Sequence, residues 1–156
     1  MKPYRDIATL VALQLVCFFL LTHLEPRFFL IHLYQSILYI AIWVLLFYME
    51  DRWAYMIGML ASVVWLGLAY VAGILSRGFD LLRGLGTGGL TADPVGLIAL
   101  TTTLLSVLMI VFCGRHWMKE YSGLGKTRST FLISFGIVGV YYGILLHWFW
   151  DMIPNA

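Results

Sequence analysis

Four histidines are the residues of this sequence best suited to chemistry. His23, His32 and His147 each fall near the end of a long apolar segment, and His116 follows another such segment. Neutral imidazoles are common protein ligands of metal ions, haem iron and chlorophyll-type magnesium. Their spacing forms no local ligand motif, so a haem, pigment or metal site is a hypothesis that depends on tertiary packing.

A polar stripe accompanies one of these histidines. His32, Gln35, Ser36 and Tyr39 recur at spacings that place them along one face of a helix. Such groups either form hydrogen bonds between helices, worth about 0.6 kcal/mol each in membranes, or line a small binding site. Both alternatives stay open. The candidate ligand or cofactor residues are His23, His32, Gln35, Tyr39 and His147.

The segments that must position these residues are strongly apolar. The chain is 62% hydrophobic and 12% charged, whereas soluble domains are about 25% charged. About 20 helical residues cross a bilayer core. The sequence therefore predicts an all-α membrane protein, a single domain over residues 1–156 with an outer interfacial loop at 76–93 and a basic inner loop at 114–129. The five predicted spans are Ile7–Leu24, Phe28–Met49, Trp53–Leu75, Pro94–Cys113 and Thr130–Trp150.

Lysine and arginine in the connecting segments predict the orientation of this five-helix bundle. A cytoplasmic N-terminus and an external C-terminus place seven of these residues inside and three outside, as the positive-inside rule favours. In this orientation His23, His32 and His147 lie in the outer third of the membrane. The predicted location is a bacterial plasma membrane. Four inner basic residues are also predicted to contact anionic lipid, at about 1 kcal/mol per charge: Arg115, Lys119, Lys126 and Arg128.

Two glycine-rich stretches resemble nucleotide-binding motifs. Residues 84–89 formally match GxGxxG, and residues 123–127 resemble the end of a P-loop. Each motif requires a preceding strand, and the second also lacks its first glycine. We therefore expect no nucleotide partner, and the small net charge of +2 predicts no nucleic acid partner.

Small residues predict where helices meet. Gly58 and Ser62 lie on one face of the third span, and Gly136, Gly139 and Gly143 lie on one face of the fifth. Such faces allow close approach of helix backbones, either within one chain or between chains.

The absence of Asp, Glu, Lys and Arg from all predicted spans disfavours ion-coupled transport. The leading hypothesis is a noncatalytic accessory or structural subunit of a larger membrane complex, for example a respiratory or photosynthetic one. The first alternative is a membrane protein that binds a cofactor or small ligand through the outer histidines. The second is a membrane enzyme acting on a lipid or isoprenoid, with His23, Glu25, His147 and Asp151 as candidate acid–base groups.

Overall fold

A computed structural model describes residues 5–87, 93–121 and 127–150. Over these ranges the chain is helical and contains no strand, which confirms the predicted all-α class. A single 3-10 turn, Pro26–Phe28, precedes the second α-helix. The α-helices are α1 (Arg5–Leu24), α2 (Phe29–Tyr48), α3 (Asp51–Val71), α4 (Ile74–Thr87), α5 (Pro94–Tyr121) and α6 (Thr127–Phe149).

Five of the helical segments in the described ranges are long and apolar enough to cross a membrane. They correspond to α1, the 3-10 turn with α2, α3, α5 and α6, and their number agrees with the five predicted spans. Helix α5 continues to Tyr121, beyond the predicted end at Cys113, so the first part of the predicted inner loop at 114–129 is helical. This is the pattern of an integral helical membrane protein. Following the predicted orientation, we term the end of the bundle that holds Leu24 and Pro94 the outer end and the opposite end the inner end.

The third span and the loop after it differ from the prediction. Helix α3 ends at Val71, and Gly73 adopts a positive φ of 73°. This left-handed conformation costs glycine little and ends the helix. Helix α4 then runs from Ile74 to Thr87, so most of the predicted outer interfacial loop at 76–93 is helical. It packs on α5, and a Cβ at Gly78 would lie 3.5 Å from the backbone of Leu100.

The core lies where α1, α2, α3 and α5 pack together. Gly58 of α3 packs closely against α5: an added Cβ would lie 3.2 Å from Cys113 Sγ. Helix α6 packs mainly against α3. Its buried side chains recur about every four residues, so the rest of its surface faces outward.

Candidate ligand site

A cavity of about 80 Å³ lies at the outer end of the bundle. Most of its wall is apolar, with side chains such as Phe28, Trp65, Ala69 and Leu145. The polar groups among the lining residues are His32 and Gln35 from α2 and the pair Glu25 and Arg77. The cavity thus combines an apolar wall with a few polar groups, as small-molecule sites do.

His32 is the chemically distinctive group of this cavity. Its side chain is buried, with 7% exposed, and neither ring nitrogen has a hydrogen-bond partner among the described residues. The Phe18 ring stacks on the imidazole, with centroids 6.3 Å apart and planes at 17°. Gln35, about one turn further along α2, lies beside the ring without a hydrogen bond of normal geometry to it. The imidazole is therefore held in place by Phe18 while its nitrogens form no hydrogen bond of normal geometry with the described residues.

An ion pair stands at the same cavity. Arg77 Nη1 of α4 lies 3.3 Å from Glu25 Oε1, which precedes the 3-10 turn. The turn at Gly73 brings α4 back against the bundle and so places Arg77 near this carboxylate. The pair could not be predicted from the sequence, because the two residues are 52 positions apart and no local sequence pattern relates them.

Tyr39, the member of the predicted stripe furthest from the outer end, belongs to a second group of polar side chains. Tyr39 lies one turn beyond Gln35 and is 1% exposed, and its ring packs edge to face with that of Phe18, with centroids 5.4 Å apart. Its hydroxyl faces those of Ser62 and Ser106. Gln14 Nε2 donates to Ser106 Oγ over 3.5 Å. We call Gln14, Tyr39, Ser62 and Ser106 the central polar cluster; four different helices contribute to it.

The other member of the stripe and the other outer histidines do not line the cavity. Ser36 donates to the carbonyl oxygen of His32 in its own helix, at 2.8 Å. His23 and His147 are exposed. Within the described ranges no three His, Cys, Asp or Glu side chains are grouped so that they could hold a metal ion. A cavity of about 80 Å³ is also below the range of about 300–1,000 Å³ typical of ligand pockets, so a haem or chlorophyll ring does not fit it.

His116, which the sequence left apart from the other histidines, has partners at the inner end. Its Nε2 lies 2.9 Å from Asp6 Oδ2, and its Nδ1 lies 3.5 Å from Glu120 Oε1. The Tyr55 ring stacks on the imidazole at 5.5 Å. Each ring nitrogen thus faces a carboxylate, and the contact with Asp6 links α5 to α1.

The inner basic residues are placed on the surface. Arg115 and Lys119 are exposed on α5, one turn apart, and Arg128 is exposed on α6. Lys126 lies outside the described residues. Their contact with anionic lipid remains a prediction.

The two glycine faces have different surroundings. Gly58 and Ser62 are buried where α3 meets neighbouring helices. Gly136, Gly139 and Gly143 are exposed, and a Cβ added at any of the three would meet no atom within 4 Å. The α6 glycines are therefore not used for packing against the described part of this chain.

Comparison with known proteins adds no relative to these observations. No protein-family model matches the chain, and neither the curated proteins nor the solved structures give a significant match. The chemistry of the outer cavity is accordingly the strongest guide to function.

Proposed function

We propose that this chain is a noncatalytic membrane protein that binds a small, uncharged amphiphile in its outer cavity. The observation that carries the proposal is His32, a buried imidazole in an apolar cavity with both nitrogens unpartnered. A buried polar group without a hydrogen bond costs about 1–3 kcal/mol. A ligand that supplies the missing partner recovers this free energy and gains from burial of its apolar body.

The lining residues support this ligand class. A neutral imidazole offers one donor and one acceptor, which suits the hydroxyl or carbonyl group of a ligand. The two charged lining residues, Glu25 and Arg77, already neutralise each other, so the site offers no unpaired charge to an ionic head group. The apolar walls and a volume of about 80 Å³ favour the polar end of a slim amphiphile, such as a prenol or a fatty alcohol, whose remaining chain would extend into the surrounding lipid.

Thermal unfolding of the purified protein with added amphiphiles tests this function. A ligand that binds only the folded state stabilises it by mass action, so an uncharged amphiphile that fits should raise the melting temperature of the wild type. His32→Phe keeps a planar ring but removes both nitrogens and should lose that shift. His147→Phe is the matched control, because His147 is exposed and does not line the cavity. Equal shifts in the two variants would overturn the assignment.

A second candidate function is the accessory subunit, and the exposed glycine face of α6 favours it. Gly139 and Gly143 have the spacing of membrane helix-association motifs, and their surfaces are not covered by the described part of the chain. A transmembrane helix of another subunit is the occupant that such a face suits. The two functions are compatible, because the face on α6 and the interior of the outer cavity are different surfaces.

A further inference from the structure

The central polar cluster has more hydrogen-bonding capacity than its own side chains use. Gln14 Oε1, Tyr39 Oη and Ser62 Oγ are all buried and form no hydrogen bond of normal geometry with the described residues, although the Tyr39 and Ser62 hydroxyls face each other. The three residues are 2%, 1% and 0% exposed and come from α1, α2 and α3. Ser106 of α5 donates to its own helix, to the carbonyl oxygen of Thr102 at 2.8 Å.

Gln14, Tyr39 and Ser62 come from three helices, and the missing hydrogen bonds of their buried oxygens require an explanation. Each would forfeit the free energy of a hydrogen bond if the site were dry. Buried polar groups in native proteins are satisfied by protein or by internal water, and a buried water typically makes about three hydrogen bonds. A water molecule can donate to the Gln14 carbonyl oxygen and exchange hydrogen bonds with the two hydroxyls, which satisfies all three groups.

We propose that the central polar cluster is an internal water site, joined to the outer cavity through the stripe on α2. His32, Gln35 and Tyr39 follow one another at about one helical turn, which is a rise of roughly 5.4 Å. Two O–H···O hydrogen bonds in series span about the same length. Because His32 and Gln35 already line the cavity, one water between Gln35 and Tyr39 would link the cavity to the cluster.

The inner side of this column is closed by apolar packing. At Gly58 an added Cβ would meet Cys113 Sγ, Ile42 Cγ2 and Met109 Sδ, all within 4 Å. Ile42 and Cys113 are 0% exposed. The waters consequently exchange with the outer end alone, and the column does not conduct across the bundle.

Water is favoured over a monovalent cation by charge. All four side chains of the cluster are uncharged in their ordinary forms, and an unpaired ion is far more costly to bury than a neutral molecule. Replacement of sodium by choline in the buffer is therefore expected to leave stability unchanged. Sodium-dependent stabilisation that disappears in Tyr39→Phe would assign the site to a cation and overturn the water proposal.

Hydroxyl-radical footprinting in ¹⁸O-labelled water tests the site directly, because radicals formed from internal water mark the residues beside it. We expect ¹⁸O incorporation at Tyr39 although it is 1% exposed. Met109 is the internal control: it is 2% exposed, has an oxidisable sulfur, and lies at the apolar closure. Labelling of Tyr39 without Met109 supports the proposal. Unlabelled Tyr39 in folded protein overturns it.

A double-mutant cycle gives a second, independent test. A dry, unpartnered hydroxyl can be removed without loss, whereas a hydroxyl that binds a shared water cannot. Tyr39→Phe and Ser62→Ala should each lower the folding equilibrium constant by roughly fivefold, and the double variant by less than the product. Unchanged or increased stability in both single variants would contradict the proposal. The water site does not depend on the amphiphile, so ¹⁸O labelling of Tyr39 should persist in His32→Phe.

Discussion

Tyr34 of α2 and Tyr141 of α6 form two reciprocal hydrogen bonds, because each hydroxyl donates to the other residue's backbone carbonyl oxygen. Their rings also stack, with centroids 4.3 Å apart. Helix α6 has few other contacts with α2. This pair is therefore the main direct link between the two helices.

Loss of one hydroxyl should weaken that link. We expect Tyr34→Phe and Tyr141→Phe each to lower the free energy of unfolding by about 1 kcal/mol, and the double variant by less than the sum, because the two groups share one contact. Denaturant unfolding in detergent measures the effect. Tyr70→Phe, at a 75% exposed position, is the control, and strictly additive losses would contradict a shared contact.

The inner contact between His116 and Asp6 should matter more than that between His116 and Glu120. The first distance is 2.9 Å and joins two helices, whereas the second is 3.5 Å, lies within α5 and lacks hydrogen-bond geometry. Asp6→Ala should therefore lower stability by about 1 kcal/mol, and Glu120→Ala by less. Urea or SDS unfolding distinguishes them, and a larger loss for Glu120→Ala would refute this ranking.

Glycine substitutions should separate a packed face from an open one. Gly58→Val places carbon atoms against Cys113 Sγ, which would be 3.2 Å from the new Cβ, and overpacking of this kind costs about 1–3 kcal/mol. Gly139→Val, where nothing lies within 4 Å of an added Cβ, should leave the stability of the isolated chain nearly unchanged. Cys113→Ala should partly rescue Gly58→Val, and failure to do so would place the strain elsewhere.

If the chain is an accessory subunit, filling the open glycine face of α6 should change its assembly with other subunits without changing its fold. Gly143→Leu fills the open face of α6, so it should reduce the size of the complex extracted in mild detergent. The unfolding midpoint of the purified chain should stay the same. An unchanged complex size would argue against α6 as the contact surface.

The ion pair at the outer cavity should control ligand exchange more than stability. Glu25 and Arg77 side chains are 25% and 44% exposed, and such pairs contribute about 0–1 kcal/mol. Glu25→Gln should thus leave the unfolding midpoint nearly unchanged, while stopped-flow release of a bound fluorescent amphiphile becomes faster. Reversal of both charges, Glu25→Arg with Arg77→Glu, should restore slow release; a double variant as fast as Glu25→Gln would exclude the ion pair as the cause.

Hydropathy and helical periodicity predicted the five spans and the alignment of His32, Gln35 and Tyr39, because both are local properties of the chain. The pairings of Asp6 with His116 and of Glu25 with Arg77 could not be predicted, since they depend on how distant helices pack. The turn at Gly73 could not be predicted either, because the residues before and after it in the sequence are as apolar as the rest of the span. The glycines of α3 and α6 looked alike in sequence, and only packing distinguishes the buried face from the open one.

Native mass spectrometry of the protein extracted in mild detergent or nanodiscs tests the proposed ligand site most directly. We expect a stoichiometric adduct of an uncharged amphiphile on the wild type and on His147→Phe, and loss of that adduct from folded His32→Phe. An adduct retained by His32→Phe, or a wild type that is folded and ligand-free even after incubation with uncharged amphiphiles, would contradict this expectation.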